Sequence, residues 1–167
     1  MNFKNTVYLG LGCNLGHRLE SLRSAILKLG QLGEVVAESK VYESPAWGYE
    51  DDRAYLNMCC AVATDLSIEA IHEATLEIEV ALGRETAKRK QGEPYRPRMI
   101  DIDILFFNRE EIKTDALIIP HPQLHLRNFV LRPLVDIAPD FEHPSLGVSM
   151  LELLRTSQDQ SELQELS

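Results

Sequence analysis

Asp101 and Asp103 stand one residue apart in "MIDIDILFF", residues 99 to 107, a run otherwise built from Met, Ile, Leu and Phe. In a strand, side chains at i and i+2 share a face, which places the two carboxylates roughly 6 to 7 Å apart along the chain. Ile100, Ile102, Ile104 and Phe106 then take the opposite face and pack under helices. Two acids side by side repel, and one pKa rises unless a cation sits between them. Oxygen-only ligands suit a hard metal, and Mg²⁺ takes one or two protein carboxylates with waters and phosphates completing its shell. Two such ions roughly 3.5 to 4 Å apart can clamp the attacking and leaving oxygens of a phosphoryl displacement. The alternative is a pair of acids salt-bridged to Arg96 or Arg98 on a solvated face.

The neighbouring segment favours the metal. The chain carries a formal charge of −9, yet Arg84, Lys88, Arg89, Lys90, Arg96 and Arg98 face only Glu85 and Glu93 between positions 84 and 98. A basic island in an acidic chain suits a small anionic ligand. Arginine offers planar, bidentate contacts to phosphate oxygens and can stabilise charge that builds during transfer. Arg84 and Arg98 frame a polar loop long enough to act as a lid. Familiar nucleotide motifs are missing: "GLGCNLG" is one residue too wide for G-x-G-x-x-G, and no G-x-x-x-x-G-K-[ST] occurs. That glycine turn is read as structural.

The elements that must hold these residues are legible in outline. "TVYLGLGC" reads as a buried strand, and "HRLESLRSAILKLG" places Leu19, Leu22, Ile26 and Leu29 at helical spacing before Gly30. "EVVAESKVYES" alternates as a second strand up to about Ser44, "SPAWGYEDDRA" is a loop, and "YLNMCCAVATD" is a third strand. Ser67 caps a helix marked by Ile68, Ile71, Thr75, Ile78 and Leu82 and ending near Gly83. The aspartate strand follows. The order β-α-β-β-α-β is that of an α+β, ferredoxin-like sandwich, an antiparallel sheet with helices on its faces. It is expected to put the first and last strands in the middle of the sheet. A short hairpin and two helices, "FVLRPLVDIA" and "SMLELLR", complete the chain, and the polar end, about 156–167, is expected to fray.

The 167 residues fit one domain, 1–167, and no apolar stretch is long enough to span a bilayer. No leader pattern opens the sequence. Cys13, Cys59 and Cys60 form neither a C-x-x-C nor an even disulfide set, which fits a reducing cytoplasm. The acidic balance disfavours nucleic acid and anionic membranes as partners. His17, His72, His125 and His143 show no metal-ligand spacing and are read as surface or packing residues.

Five segments in order, "YLGLGCNLGHRLESL", "YLNMCCAV", "IEVALGR", "RPRMIDIDIL" and "IPHPQLHLRNFVLRPLVDIAP", resemble the 6-hydroxymethyl-7,8-dihydropterin pyrophosphokinases of folate biosynthesis over roughly residues 6 to 155. The resemblance implies a ferredoxin-like core that binds ATP with two Mg²⁺ and moves the pyrophosphoryl group to the pterin hydroxymethyl oxygen, releasing AMP. It places the metal ligands on Asp101 and Asp103 and the catalytic lid arginines on Arg84 and Arg98. Glu79, Arg84, Arg98, His121 and Arg127 would contact ATP. Ser44, Pro45, Trp47, Tyr55, Asn57 and Phe129 would form the pterin pocket, with Tyr55 and Phe129 stacking on the two ring faces and Asn57 pairing with the ring edge. The lid "RETAKRKQGEPYRPR" is longer than the commonest family form, and Tyr95 stands where the family tryptophan is expected, if it has a counterpart. An arginine that some members carry before the P-H motif is absent, with Ala116 near that place. A monomer is the default expectation. Two rival readings remain: another Mg²⁺-dependent phosphoryl or nucleotidyl transferase, and a non-catalytic ligand-binding module on the same fold.

Overall fold

Alternating burial along Asn5–Cys13 (β1) follows the period of a strand that covers a core with every second side chain: Val7, Leu9, Leu11 and Cys13 are buried. The computed structural model describes residues 2–14, 16–44, 54–83 and 99–166. After β1 come helix α1 (Arg18–Leu29), strands β2 (Glu34–Glu38), β3 (Tyr42–Ser44) and β4 (Tyr55–Thr64), helix α2 (Ile68–Ala81) and strand β5 (Asp101–Phe107). A hairpin of β6 (Ile112–Lys113) and β7 (Ile118–Ile119) leads to α3 (Asn128–Ile137), α4 (Met150–Thr156) and β8 (Gln164–Glu165). Ser67 caps α2 as its sequence predicts, accepting from the Ala70 N–H at 3.2 Å.

The sheet runs β5-β1-β4-β3-β8, with β2 also paired to β4. The pairs β1–β4, β1–β5, β2–β4, β3–β4 and β3–β8 are all antiparallel. This is the ferredoxin-like arrangement expected from the element order, with one correction. The last strand of that unit, β5, pairs only with β1 among the described strands of the sheet and lies at its edge, whereas β1 and β4 are central. β4 takes that position because Leu56–Val62 are buried on both faces, so it needs neighbours on each side.

Two further expectations change in detail. The segment read as one strand from Glu34 to Ser44 is two, because the ladder with β4 slips between Val35 and Ala37 and then breaks at Ser39. There the Ser39 hydroxyl accepts the Cys59 N–H at 2.8 Å in place of a backbone carbonyl. The polar end is also held. Gln164 and Glu165 pair with Glu43 and Tyr42, and the Leu166 N–H donates to the Val41 carbonyl at 2.8 Å.

Two cores flank the sheet. Leu22, Ala25 and Leu29 of α1 and Ile68, Ile71 and Ile78 of α2 cover one face with Leu9, Leu56, Ile102 and Ile104. On the other face, Leu131 and Leu134 of α3 and Met150 of α4 cover Cys59, Leu105 and Phe106. Phe106 thus departs from its expected place beside Ile104. Tyr8 opposes Phe106 and Leu9 opposes Ile104, so Leu105 is an extra residue in β5, and the bulge inverts the alternation beyond it.

Candidate active site

Helix α3 covers only part of its sheet face, leaving a cavity of about 270 Å³ over the ends of β1, β4 and β5. Its floor follows from register. Gly12 opposes Asp101 and Gly10 opposes Asp103 on one side of β1, while Asn57 and Cys59 oppose the same glycines on the other. Cross-strand partners share a face, so two carboxylates, two residues without side chains, an amide and a thiol form one row. Glycine leaves the space beside the carboxylates open. At Gly12 a Cβ would stand 3.1 Å from Asn57 Oδ1, a tight approach, whereas at Gly10 it would meet Leu105 at an ordinary 3.5 Å.

The walls are aromatic and polar. Tyr55 at the start of β4 and Phe129 in the first turn of α3 both line the cavity. Asn57 is buried, and its Nδ2 donates to Ser44 Oγ at 2.7 Å, which fixes the amide's orientation and ties β4 to β3. Arg127, just before α3, places its guanidinium 5.6 Å from the Phe129 ring and donates to the Gln123 side chain. The Cys59 thiol is fully enclosed, and burial pushes its pKa well above the ordinary thiol value, so it is a packing group rather than a nucleophile.

A second hollow of about 400 Å³ lies over the outer edge of β5, lined by His72, Thr75 and Glu79 of α2 and by Asp115 and Ala116 of the hairpin. Asp101, Asp103 and His121 line both hollows and therefore mark where they meet. His121 is placed there by the bulge, because its N–H donates to the carbonyl of the extra residue Leu105 at 3.0 Å. The Gln123 N–H donates to His121 Nδ1 at 3.2 Å, so the ring proton resides on Nε2 when the imidazole is neutral. Burial, and then the Arg127 guanidinium, lower the His121 pKa, while Asp101 pulls the other way. A neutral imidazole at that junction is a hydrogen-bond donor to an anion through Nε2. Glu79 is only 2% exposed, and its Oε2 accepts the Ile102 N–H at 2.8 Å.

The structure therefore brings together Asp101, Asp103, His121, Arg127, Ser44, Tyr55, Asn57 and Phe129 around the first cavity, with Glu79 in the second. Pro45, Trp47, Arg84 and Arg98 lie outside the described residues. Gly10 and Gly12, read as part of a structural turn, prove to be cavity floor. The signal for them was present: two glycines at i and i+2 in a strand are rare unless something must approach that face.

A model of the 7,8-dihydro-6-hydroxymethylpterin-pyrophosphokinase family matches residues 8–139, which span every element described at the two hollows. The chain belongs to this pterin pyrophosphokinase family. It is 41% identical over 140 residues to the 2-amino-4-hydroxy-6-hydroxymethyldihydropteridine pyrophosphokinase of Bacillus subtilis (strain 168), covering 83% of this chain and 81% of that one. The folic acid synthesis protein fol1 of Pneumocystis carinii is 41% identical over 145 residues, covering 86% of this chain, but the chain spans only 19% of that longer protein. In three dimensions the fold matches an HPPK-DHPS crystallised in complex with substrates, with a TM-score of 0.73 at 16% identity, over 93% of this chain and 43% of that one. The wild-type Plasmodium falciparum HPPK-DHPS with pteroate gives 0.71 at 17% identity, over 93% of this chain and 43% of that one.

A kinase of this family uses Mg²⁺, and the donors here fit it. Among the described residues no three His, Cys, Asp or Glu side chains converge to enclose an ion. Two carboxylates across from two glycines, at the junction of two hollows, would leave the remaining positions of such an ion to water and phosphate, as Mg²⁺ prefers.

Proposed function

We propose that the chain transfers the pyrophosphoryl group of ATP to the hydroxymethyl oxygen of 6-hydroxymethyl-7,8-dihydropterin, forming AMP and the pterin diphosphate in the cytoplasm. The observation that carries this reading is the position of Asp101 and Asp103 at the junction between an aromatic, amide-lined cavity and a separate hollow under His121. A flat heteroaromatic ring suits the first, between Tyr55 and Phe129 with its polar edge at Asn57. Nucleotide suits the second, with its phosphates reaching the aspartates.

Asp101 and Asp103 would hold Mg²⁺, two ions in the full complex, which supply charge neutralisation at the phosphates. His121 Nε2 and Arg127 donate to phosphate oxygens, and the family pattern would add Arg84 and Arg98, which lie outside the described residues. Ser44 borders the pterin, and the family pattern would add Pro45 and Trp47, which lie outside the described residues. The hydroxymethyl oxygen bonds to the β-phosphorus, the bond from that phosphorus to the α,β-bridging oxygen breaks, AMP leaves with that oxygen, and the hydroxyl proton passes to solvent. No side chain among the described residues is placed as a dedicated base for that proton. Positioning and electrostatic stabilisation therefore supply the acceleration.

Phosphorus NMR of the products after incubation with Mg²⁺, ATP and the pterin alcohol tests the reading. AMP with a pterin diphosphate supports it. Free pyrophosphate with an adenylated pterin would assign a nucleotidyl transferase instead, and unchanged ATP would reduce the fold to a binding module.

A further inference from the structure

Helix α3 carries Phe129 in its first turn and is preceded by Arg127, yet its own sequence supplies no cap. The N-cap residue is Arg127, whose side chain has no acceptor, and no side-chain cap bond is made from that position. The acceptor comes from 31 residues downstream. Asp159 Oδ2 accepts the Asn128 N–H at 2.8 Å, and the Asp159 carbonyl accepts Asn128 Nδ2 at 2.9 Å. The carboxylate is itself fixed, because Asp159 Oδ1 accepts the Ser161 N–H at 2.9 Å and the Ser161 hydroxyl at 2.6 Å. A negative group at this helix end is also favoured by the helix dipole.

The segment bearing Asp159 is anchored at both ends. It leaves α4 at Thr156, and beyond Asp159 it joins the open edge of β3, where Glu165 pairs with Tyr42 and its carboxylate meets Lys40 Nζ at 3.1 Å. β3 ends in Ser44, which lines the cavity as Phe129 does. The tail thus contacts both β3 and α3, two elements that line the cavity, and it lies beyond the residues matched by the family model.

We propose that Asp159 is a positioning residue for the site: by capping α3 from the tail it sets Arg127 and Phe129 against the substrates. The proposal rests on the functional reading above for its kinetic consequence, while its structural half stands alone. The test pairs steady-state kinetics with hydrogen exchange of the full-length protein, comparing wild type with Asp159→Ala, Asp159→Asn and Ser161→Ala. Loss of a cap of ordinary strength predicts that Asp159→Ala raises KM for the pterin about fivefold, with Asp159→Asn intermediate because one acceptor oxygen remains. A purely structural tail would instead lower the active fraction and leave KM unchanged. Amide exchange from Asn128 to Leu131 should quicken in Asp159→Ala and, to a lesser degree, in Ser161→Ala, with β1 and β4 still protected. Unchanged exchange in that turn, or unchanged KM despite faster exchange, overturns the proposal. Should wild type release no AMP, the functional reading fails, and the exchange data still decide whether Asp159 is the cap.

Discussion

Glu79 Oε2 accepts the backbone N–H of Ile102, the residue between Asp101 and Asp103, at 2.8 Å. Among the described residues β5 pairs only with β1 within the sheet, which leaves its other edge to other partners, and a buried side chain from α2 takes one of its donors. The strand that carries both carboxylates is thereby locked to the helix that walls the second hollow. Glu79→Ala leaves that buried N–H without its acceptor and should cost about 1–3 kcal/mol in urea unfolding. Glu79→Gln keeps an acceptor oxygen and should lose under ~1 kcal/mol on the same basis.

The glycines of β1 should separate sterically. Gly12→Ala drives a methyl against Asn57 Oδ1 at 3.1 Å, so KM for the pterin should rise several-fold with little change in melting temperature. Gly10→Ala meets Leu105 at an ordinary 3.5 Å and should fold normally. Binding titrations of both variants with the pterin alone give the comparison.

Gly33 tests the sheet rather than the site. A Cβ there would stand 1.9 Å from the Ala63 carbonyl oxygen, which is backbone and cannot swing aside. Gly33→Ala must push β2 away from β4, and a loss of about 2 kcal/mol or more is expected in chemical unfolding. Substitution without measurable loss would mean that the β2–β4 ladder is looser than described.

Asp159 makes a pH prediction. Burial pushes its pKa up, but the hydrogen bonds from Ser161 and Asn128 outweigh this, and the folded value lies below the ordinary one. A carboxylate depressed on folding stabilises the protein above its unfolded pKa of about 3.9, and that stability is lost as pH falls through the folded value. The stability gap between wild type and Asp159→Ala should therefore be about 1 kcal/mol at neutral pH. It should close as pH falls below about 3.9. Urea titrations across that range measure it.

The sequence is informative where side-chain pattern and local chemistry coincide. The D-x-D run between apolar neighbours, the Ser67 cap and the strand at "YLNMCCAVATD" all follow from local pattern that a strand or helix imposes, and the structure repeats them. Phe106 and the split between β2 and β3 do not, because each depends on a register slip against a partner strand that no local pattern encodes. The outer position of β5 is likewise a matter of pairing. The Asp159 cap was hidden for a related reason: "DQS" in a polar tail looks like solvated chain, and its meaning arises only from contact with a helix 31 residues earlier. At the site, single residues such as Tyr55, Asn57 and Phe129 carried little signal by themselves. They became a constellation through the order of motifs along the chain, and the cavity then brought them together.

The most direct test of the central claim is the rate of AMP and pterin diphosphate formation by wild type, Asp101→Ala and Asp103→Ala, measured by mass spectrometry as Mg²⁺ is titrated. If the two aspartates hold the metal that neutralises the phosphates, each variant should remain folded, demand more Mg²⁺ and lose about a thousandfold or more in kcat, or ~4 kcal/mol of transition-state stabilisation. Full turnover with unchanged Mg²⁺ dependence in either variant would contradict the account, because the carboxylates would then stand beside the reaction without taking part in it.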